Sequence, residues 1–190
     1  MLFSSLVFIW YFLPAVFLLY YLLPWKQAKN LVLLAASLFF YAWGEPKYIV
    51  LMLISITCNY LFGLCLHAVS QKRQKRGILL LCLAVNLGIL GYFKYFNFGA
   101  ELINFFLGRE GISFRQITLP IGISFYTFQS LSYILDVYRG NISVQKNPLY
   151  LALYISFFPQ LIAGPIVKYH DIESQIAQRS TNLTMQTYWN

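Results

Sequence analysis

A stripe of polar side chains runs along one face of a predicted apolar helix. Its members, Gly122, Tyr126, Gln129, Tyr133 and Asp136, recur at spacings of four, three, four and three residues. On an α-helix these spacings place every member on the same face. Hydrocarbon does not solvate such a face, so we expect it to contact protein or water. Two interpretations remain open: the stripe lines a substrate cavity, or it supplies hydrogen bonds between helices.

Asp136 is the stripe residue with the chemistry of a general base. Arg139 follows it by three residues, which on a helix is close enough for an ion pair. A helix-end partnership with Arg139 is therefore the alternative to a catalytic role for Asp136.

A broken apolar segment follows over residues 149–167. Pro159 and the Gly164-Pro165 pair interrupt regular helix hydrogen bonding there and free the carbonyls of Ile155 and Leu161. Freed backbone groups at membrane depth survive only where they are buried in protein or line a cavity. We predict that the two breaks mark a cavity, with packing kinks as the alternative.

Histidine is the usual general base near neutral pH, and the chain has two, His67 and His170. Neither belongs to a catalytic motif, and the sequence has no G-x-S-x-G elbow, no H-E-x-x-H and no paired carboxylates within one span. We interpret both as interfacial or structural histidines and assign no catalytic residue. No metal-ligand spacing is present, so no metal site is predicted.

Composition identifies the environment of these elements. The chain is 59% hydrophobic and 11% charged, with a mean hydropathy of +0.61. Soluble domains carry about 25% charged residues, so a water-facing surface is excluded. The net charge of +8 does not indicate nucleic acid binding, because the basic residues lie between long apolar runs. The cysteines Cys58, Cys65 and Cys82 lie inside those runs and are interpreted as buried thiols.

The apolar runs predict an all-α polytopic transmembrane bundle with a broken or re-entrant segment and about five or six spans. The predicted spans are residues 3–23, the short run 31–43, 48–69, 78–93, 117–138 and the broken segment 149–167. The second and third spans, joined by a turn at residues 44–46, are expected to form a helical hairpin. Residues 94–106 are predicted as an amphipathic helix, with Lys94, Asn97, Glu101 and Asn104 on its polar side.

Basic residues set the predicted orientation. Lys72, Arg73, Lys75 and Arg76 lie within five residues after the third span, which places that loop in the cytoplasm. Counting back puts the turn at residues 44–46 outside, the Lys26 and Lys29 loop inside and the N-terminus outside. The predicted location is the plasma membrane.

Several stretches resemble the alginate O-acetyltransferase branch of the membrane-bound O-acyltransferase family. They are the opening Met1-Leu-Phe-Ser-Ser-Leu-Val-Phe8, Gly91-Tyr-Phe-Lys-Tyr-Phe-Asn97, Leu119-Pro-Ile-Gly-Ile-Ser-Phe-Tyr126 continuing through Tyr133-Ile-Leu-Asp136-Val-Tyr-Arg-Gly140, and Phe157-Phe-Pro-Gln-Leu-Ile-Ala-Gly-Pro165. The resemblance runs in order from Met1 to about Gln178.

This resemblance implies an enzyme that moves an acyl group, usually acetyl, onto a hydroxyl of an exported polysaccharide such as alginate or peptidoglycan. It implies the lipid bilayer, the polysaccharide and periplasmic acyl-transfer proteins as partners. The acyl donor, acetyl-CoA or a carrier-linked acyl group, is a substrate, and no bound cofactor is expected. We name Tyr126, Gln129, Tyr133, Asp136, Arg139, Pro159, Gly164 and Pro165 as candidates for lining the substrate funnel.

The family's catalytic histidine lies in a later membrane segment, beyond the matched region. We therefore expect these 190 residues to be the N-terminal portion of the enzyme, forming one membrane domain that does not turn over alone. Two alternatives come from other classes of protein. A transporter or channel subunit also uses broken helices, but the sequence has no inverted repeat. A non-catalytic scaffold of a polysaccharide secretion complex is the other.

Overall fold

The computed structural model describes residues 5–107 and 116–163, together with Tyr169 and Ile172. The elements of these residues are helical, as predicted, and no strand occurs among them. A π-helical turn, Phe8–Phe12, is followed by seven α-helices. They are α1 (Leu13–Leu22), α2 (Lys26–Gly44), α3 (Ile49–Ala68), α4 (Lys72–Leu107), α5 (Ile123–Arg139), α6 (Pro148–Ser156) and α7 (Phe158–Ala163).

The first predicted span contains the π-helical turn and α1. Pro14 is the second residue of α1, two residues after the last residue of this turn. Because Pro14 has no backbone N–H, regular α-helical bonding is interrupted here, and a wider turn carries the helix past the interruption.

The second apolar run is a complete helix. Helix α2 has 19 residues, longer than the predicted run at both ends. At 1.5 Å of rise per residue it extends about 28 Å, close to the thickness of a bilayer core. Residues 45–48 then turn the chain into α3. The predicted short turn joins the two helices, which contact each other, but α2 packs mainly against α1 and α6.

Helix α4 is one continuous helix of 36 residues. It joins the predicted span at residues 78–93 to the predicted amphipathic helix at 94–106. No proline lies between them, and isolated glycines such as Gly99 do not stop a helix. Its length, about 54 Å, exceeds the roughly 30 Å thickness of a bilayer core.

Helix α5 begins later than predicted. Residues 116–120 are not helical, and helical structure begins at Ile123. Pro120 disfavours helix in the residue before it, and Gly122 adopts φ 78°, which glycine tolerates best. The helix ends at Gly140, also at φ 78°, as a C-terminal cap.

The broken segment is two short helices. Helix α6 ends at Ser156, Phe157 has an extended ψ of 110°, and α7 begins at Phe158. The predicted break at Pro159 is therefore present, with the interruption two residues before the proline. Gly164 and Pro165 lie outside the described residues.

Two of the described helices are long and apolar enough to cross a membrane, Ile49–Ala68 and Lys72–Phe106. The 15-residue apolar helical stretch Phe8–Leu22 is shorter. Buried side chains of α3, α4, α5 and α6 form the main core. A second, aromatic cluster is centred on Phe8, Phe40 and Phe158, where the π-helical turn, α2 and α7 meet.

Candidate functional site

Gln129 bridges the broken segment. Its Nε2 donates to the backbone oxygen of Tyr154 at 2.8 Å and to Oε1 of Gln160 at 2.9 Å. Tyr154 lies in the last turn of α6 and Gln160 lies in α7, so one side chain of α5 holds both sides of the break. A carbonyl in the last turn of a helix has no partner within that helix, and the Gln129 amide supplies one.

Ser37 of α2 holds the start of α7. The backbone N–H of Phe158 donates to Ser37 Oγ at 3.3 Å, and this hydroxyl donates to the Leu33 oxygen at 2.7 Å. Ser37 is fully buried. Sequence analysis missed it, because a single serine inside an apolar run does not indicate which other segment it contacts.

The first turn of the stripe lies against α7 and α2. A Cβ atom at Gly122 would be 3.2 Å from Leu161 Cγ and 3.3 Å from the Leu161 oxygen, so the glycine permits close approach of α7. Tyr126 is buried, with its ring edge-on to Tyr41 at a centroid distance of 6.5 Å. Both hydroxyls are buried and accept no hydrogen bond of good geometry from the described residues.

Tyr133 fixes the loop after α5. Its hydroxyl accepts a hydrogen bond from the backbone N–H of Gln145 at 3.0 Å. Gln145 in turn donates through Nε2 to the Tyr169 hydroxyl at 2.6 Å, and the rings of Tyr133 and Tyr169 meet edge-on at 5.2 Å. Tyr133 is fully buried, so its hydroxyl anchors the loop at the centre of the helices.

Asp136 does not pair with Arg139. Its Oδ1 accepts a hydrogen bond from Asn141 Nδ2 at 3.3 Å, and its backbone oxygen accepts from the Asn141 N–H at 3.0 Å. The carboxyl group is mostly buried, whereas the Arg139 side chain is exposed. The predicted helix-end ion pair is replaced by contacts with the chain that turns back after Gly140.

The stripe therefore faces protein, as one of the two interpretations predicted. Its four side chains are all buried, and those of Gln129, Tyr133 and Asp136 hydrogen-bond to groups of the following segments. Lining of a substrate funnel by these residues stays a prediction.

Pro159 lines an apolar cleft of about 350 Å³. The other lining residues are Phe8, Leu13, Val16, Phe17, Tyr20, Leu33, Phe157 and Phe158. A cleft therefore adjoins the first break on its α1 side, and its assignment to the substrate funnel stays a prediction. The second predicted break, at Gly164 and Pro165, and His170 lie outside the described residues.

A polar cleft of about 590 Å³ opens at the end of the bundle where α2 turns into α3. It is lined by Glu45, Pro46, Lys47, Tyr48, Tyr92, Phe93, Gln116, Ile117 and Thr118. Asn97 of α4 fixes the backbone of Ile117 in one wall of this cleft. Its Nδ2 donates to the Ile117 oxygen at 2.8 Å, and its Oδ1 accepts from the Ile117 N–H at 2.9 Å. The Tyr48 hydroxyl adds a bond to the Thr118 oxygen at 3.0 Å.

The titratable residues form no metal site within the described ranges. Over those residues no group of three His, Cys, Asp or Glu side chains is placed to hold a metal ion. His67 is exposed at the end of α3. Of the cysteines, Cys82 is buried as predicted, Cys58 is half-buried, and Cys65 is exposed on the outside of the bundle.

Sequence comparison finds that this chain is similar to proteins named for O-acetylation of alginate and peptidoglycan. It is 42% identical over 187 residues to "Probable alginate O-acetylase AlgI" of Pseudomonas syringae pv. tomato, covering 96% of this chain and 36% of that protein. The protein of the same name from Azotobacter vinelandii is also 42% identical, with 96% and 37% covered. "Peptidoglycan O-acetyltransferase" of Helicobacter pylori is 37% identical over 209 residues, with 95% and 39% covered.

The predicted resemblance to alginate O-acetyltransferases is therefore confirmed over almost the whole chain. The chain spans a little over a third of the length of the relatives it matches. No family model matches it. No solved structure matches it either.

Proposed function

We propose that this chain is part of a membrane-bound enzyme that transfers an acetyl group to hydroxyls of an exported polysaccharide. The observation that carries the proposal is 42% identity over 96% of the chain to proteins named for alginate O-acetylation. A relative named for peptidoglycan O-acetylation extends the range of polymers. Both names describe an acetyl ester formed on a sugar polymer, so the reaction class is shared although the polymers differ.

The reaction forms a bond between the acyl carbon and a sugar hydroxyl oxygen. The hydroxyl loses its proton, and with a thioester donor the thiol leaves and takes up a proton. A general base is needed as the hydroxyl attacks. His67 is exposed at a helix end. Asp136 accepts from Asn141 through Oδ1, and its buried Oδ2 accepts no hydrogen bond from the described residues. We propose that the base is the histidine that the family resemblance puts in a later membrane segment.

The role of Gln129 and Ser37 on this proposal is to hold a rigid frame around the break between α6 and α7. Gln129 and Ser37 reach the break from two different helices. Preorganised groups lose little conformational entropy when substrate binds. An irregular segment held by hydrogen bonds therefore suits the wall of an active site. On this proposal Tyr126, Gln129, Tyr133, Asp136, Arg139, Pro159, Gly164 and Pro165 support or line the substrate funnel.

The proposed topology has five or six spans and an outside N-terminus, in the bacterial inner membrane. It rests on the basic cluster at Lys72–Arg76, which follows the C-terminal end of α3, whereas the polar cleft lies beside the N-terminal end of α3. A helix of 20 residues separates them by about 30 Å, one bilayer core. The polar cleft then faces the compartment that holds the polysaccharide and the acyl-transfer partner proteins. The donor, acetyl-CoA or a carrier-linked acyl group, approaches from the opposite face.

Gene deletion in the source organism tests the function. We expect the exported polysaccharide to lose its ester-linked acetate, measured by release with mild base, while the amount of exported polymer stays within about twofold of wild type. Restoring the gene should restore the acetate. Full acetylation in the deletion strain would refute the proposal, and loss of polymer export with normal acetylation of what remains would favour a transporter.

A further inference from the structure

The apolar cleft at the α6–α7 break runs along α1. Leu13, Val16, Phe17 and Tyr20 of α1 line one wall at helical spacing, and the π-helical turn contributes Phe8 at the far end. Phe158 closes that end, with its ring 6.0 Å from the ring of Phe8. Every lining residue except Tyr20 has a purely apolar side chain, so the cleft suits hydrocarbon.

The length of the cleft matches one leaflet of a bilayer. From Phe8 to Tyr20 the helix rises about 18 Å. Half of a bilayer core is about 15 Å. A single extended acyl chain therefore fits between the headgroup level at one end and the bilayer midplane at the other.

The Tyr20 end of the cleft carries positive charge. Lys29 Nζ lies 5.2 Å from the centroid of the Tyr20 ring, which fixes the ammonium group at the mouth. Lys29 is half-buried, and Lys26 lies on the same helix face one turn earlier and is exposed. Trp25, 73% exposed, is an interfacial aromatic residue of the kind found at headgroup level. Among the described residues, Lys29 forms no ion pair with an acidic side chain, so its charge is available to a headgroup.

We propose that this cleft is a binding site for an anionic phospholipid, with its phosphate at Lys29 and one acyl chain extended along α1 to Phe158. A basic group at the mouth of an interhelical apolar groove is the arrangement by which membrane proteins select anionic lipids. The acyl chain contacts Phe157, Phe158 and Pro159, so the lipid packs against the irregular backbone between α6 and α7. The lipid site does not rest on the proposed acyl transfer, although Pro159 borders both this cleft and the proposed substrate funnel.

Lipid selectivity is measured by native mass spectrometry of the protein in its full-length form, released from micelles that contain phosphatidylglycerol or phosphatidylcholine. We expect wild type to retain phosphatidylglycerol about fivefold more than phosphatidylcholine, since one lysine near the surface contributes about that factor. Lys29→Gln should abolish the preference. Lys47→Gln, a matched charge removal at the opposite end of the bundle, should leave it intact.

Occupation of the cleft is measured separately. Leu33→Trp fills the cleft and should abolish retention of both lipids, whereas Leu31→Trp, at an exposed position on the same helix, should not. Phosphatidylglycerol with a photoreactive group at the end of its acyl chain should crosslink to Phe158 or its neighbours in wild type, a result that does not depend on any variant folding.

Equal retention of the two lipids by wild type would overturn the proposal. Crosslinks confined to α3 or α4, or a preference for phosphatidylglycerol that survives Lys29→Gln, would overturn it equally. Excess inorganic phosphate should not displace the lipid, and displacement would mean that the acyl chain contributes nothing.

Discussion

Asn59 of α3 and Asn86 of α4 hydrogen-bond to each other in both directions. Asn59 Nδ2 donates to Asn86 Oδ1 at 3.0 Å, and Asn86 Nδ2 donates to Asn59 Oδ1 at 3.1 Å. Each amide also donates within its own helix, Asn59 to the Ser55 oxygen at 2.8 Å and Asn86 to the Cys82 oxygen at 2.9 Å. Both residues are buried in the two helices that are long and apolar enough to cross a membrane. The pair fixes the register of α3 against α4, because sliding either helix would break both hydrogen bonds between the two buried amides.

Changing Asn59 to Leu should destabilise the protein. The variant leaves Asn86 buried without its partner on α3, and hydrogen bonds between membrane helices contribute about 0.6 to 1.7 kcal/mol. An SDS unfolding titration measures the loss. The double variant Asn59→Leu/Asn86→Leu should be less destabilised than the sum of the two single variants, since it leaves no unpaired amide.

Thr57→Val serves as the control for this pair. Thr57 is an exposed residue of α3 whose hydroxyl donates to the Leu53 oxygen and to no other group of the described residues, so its replacement should change stability by less than about 0.5 kcal/mol. Additive effects of the two asparagine changes would show that the pair does not couple α3 to α4.

Gln129→Leu should loosen the join between α6 and α7. The variant removes the donor to the Tyr154 oxygen and the Gln160 amide, and leaving buried polar groups unpaired costs about 1 to 3 kcal/mol. Thermal denaturation in detergent and hydrogen exchange of α7 measure the change, with faster exchange expected in α7. The exposed Gln116→Leu should leave both measurements close to wild type.

A Gln129→Leu variant with unchanged exchange in α7 would contradict the role given to this amide. A uniform increase in exchange over all helices would also contradict it, since that result indicates a general loss of packing rather than a local one.

Gly63 permits close approach of α3 to α5. A Cβ atom there would lie 3.0 Å from the Tyr133 hydroxyl oxygen and 3.2 Å from Tyr133 Cε1. Gly63→Ala therefore has to displace a fully buried tyrosine, and overpacking of this kind costs about 1 kcal/mol or more. At Gly88 of α4 a Cβ atom would meet no described neighbour within 4 Å, so Gly88→Ala should be neutral or stabilising.

The quantity to measure is the difference between the thermal unfolding midpoints of the two alanine variants. Gly63→Ala is expected to melt several degrees below Gly88→Ala. Equal midpoints would mean that Tyr133 moves aside without cost and that the hydroxyl bond to Gln145 is not restrictive.

Local sequence patterns predicted much of the helical structure. The run at residues 48–69 became α3 nearly to the residue, because an uninterrupted apolar stretch bounded by a turn and a basic cluster leaves few alternatives. The late start of α5 had a local signal in Pro120 and Gly122, which the apolar run obscured. The stripe was placed on one helix face by spacing alone, and its burial follows from that face being polar.

Contacts between distant segments were not predictable in this way. Gln129 meets Tyr154 only because α6 ends at Ser156, and Ser37 meets Phe158 across 121 residues of sequence. The Asn59 and Asn86 amides were visible as polar residues inside apolar runs, but nothing in their spacing indicates that they face each other. Tertiary contacts likewise determine that α2 packs more against α6 than against α3, and a short connecting turn does not indicate this.

The assignment of an acceptor face and a donor face to the proposed enzyme depends on the predicted orientation in the membrane. Lys47 lies in the polar cleft, and Lys72 begins α4 at the opposite end of α3. In a full-length background with Cys58, Cys65 and every cysteine outside these 190 residues replaced by alanine and buried Cys82 retained, Lys47→Cys should react with a membrane-impermeant maleimide in cells whose outer membrane alone is permeable. Lys72→Cys should react only after the inner membrane is opened, since the basic cluster at residues 72–76 favours the cytoplasm. Labelling of the parent background should be negligible because Cys82 is fully buried. The reverse labelling pattern would mean that the bundle has the opposite orientation in the membrane. The polar cleft would then lie on the donor side, and the expected lipid site would lie in the outer leaflet.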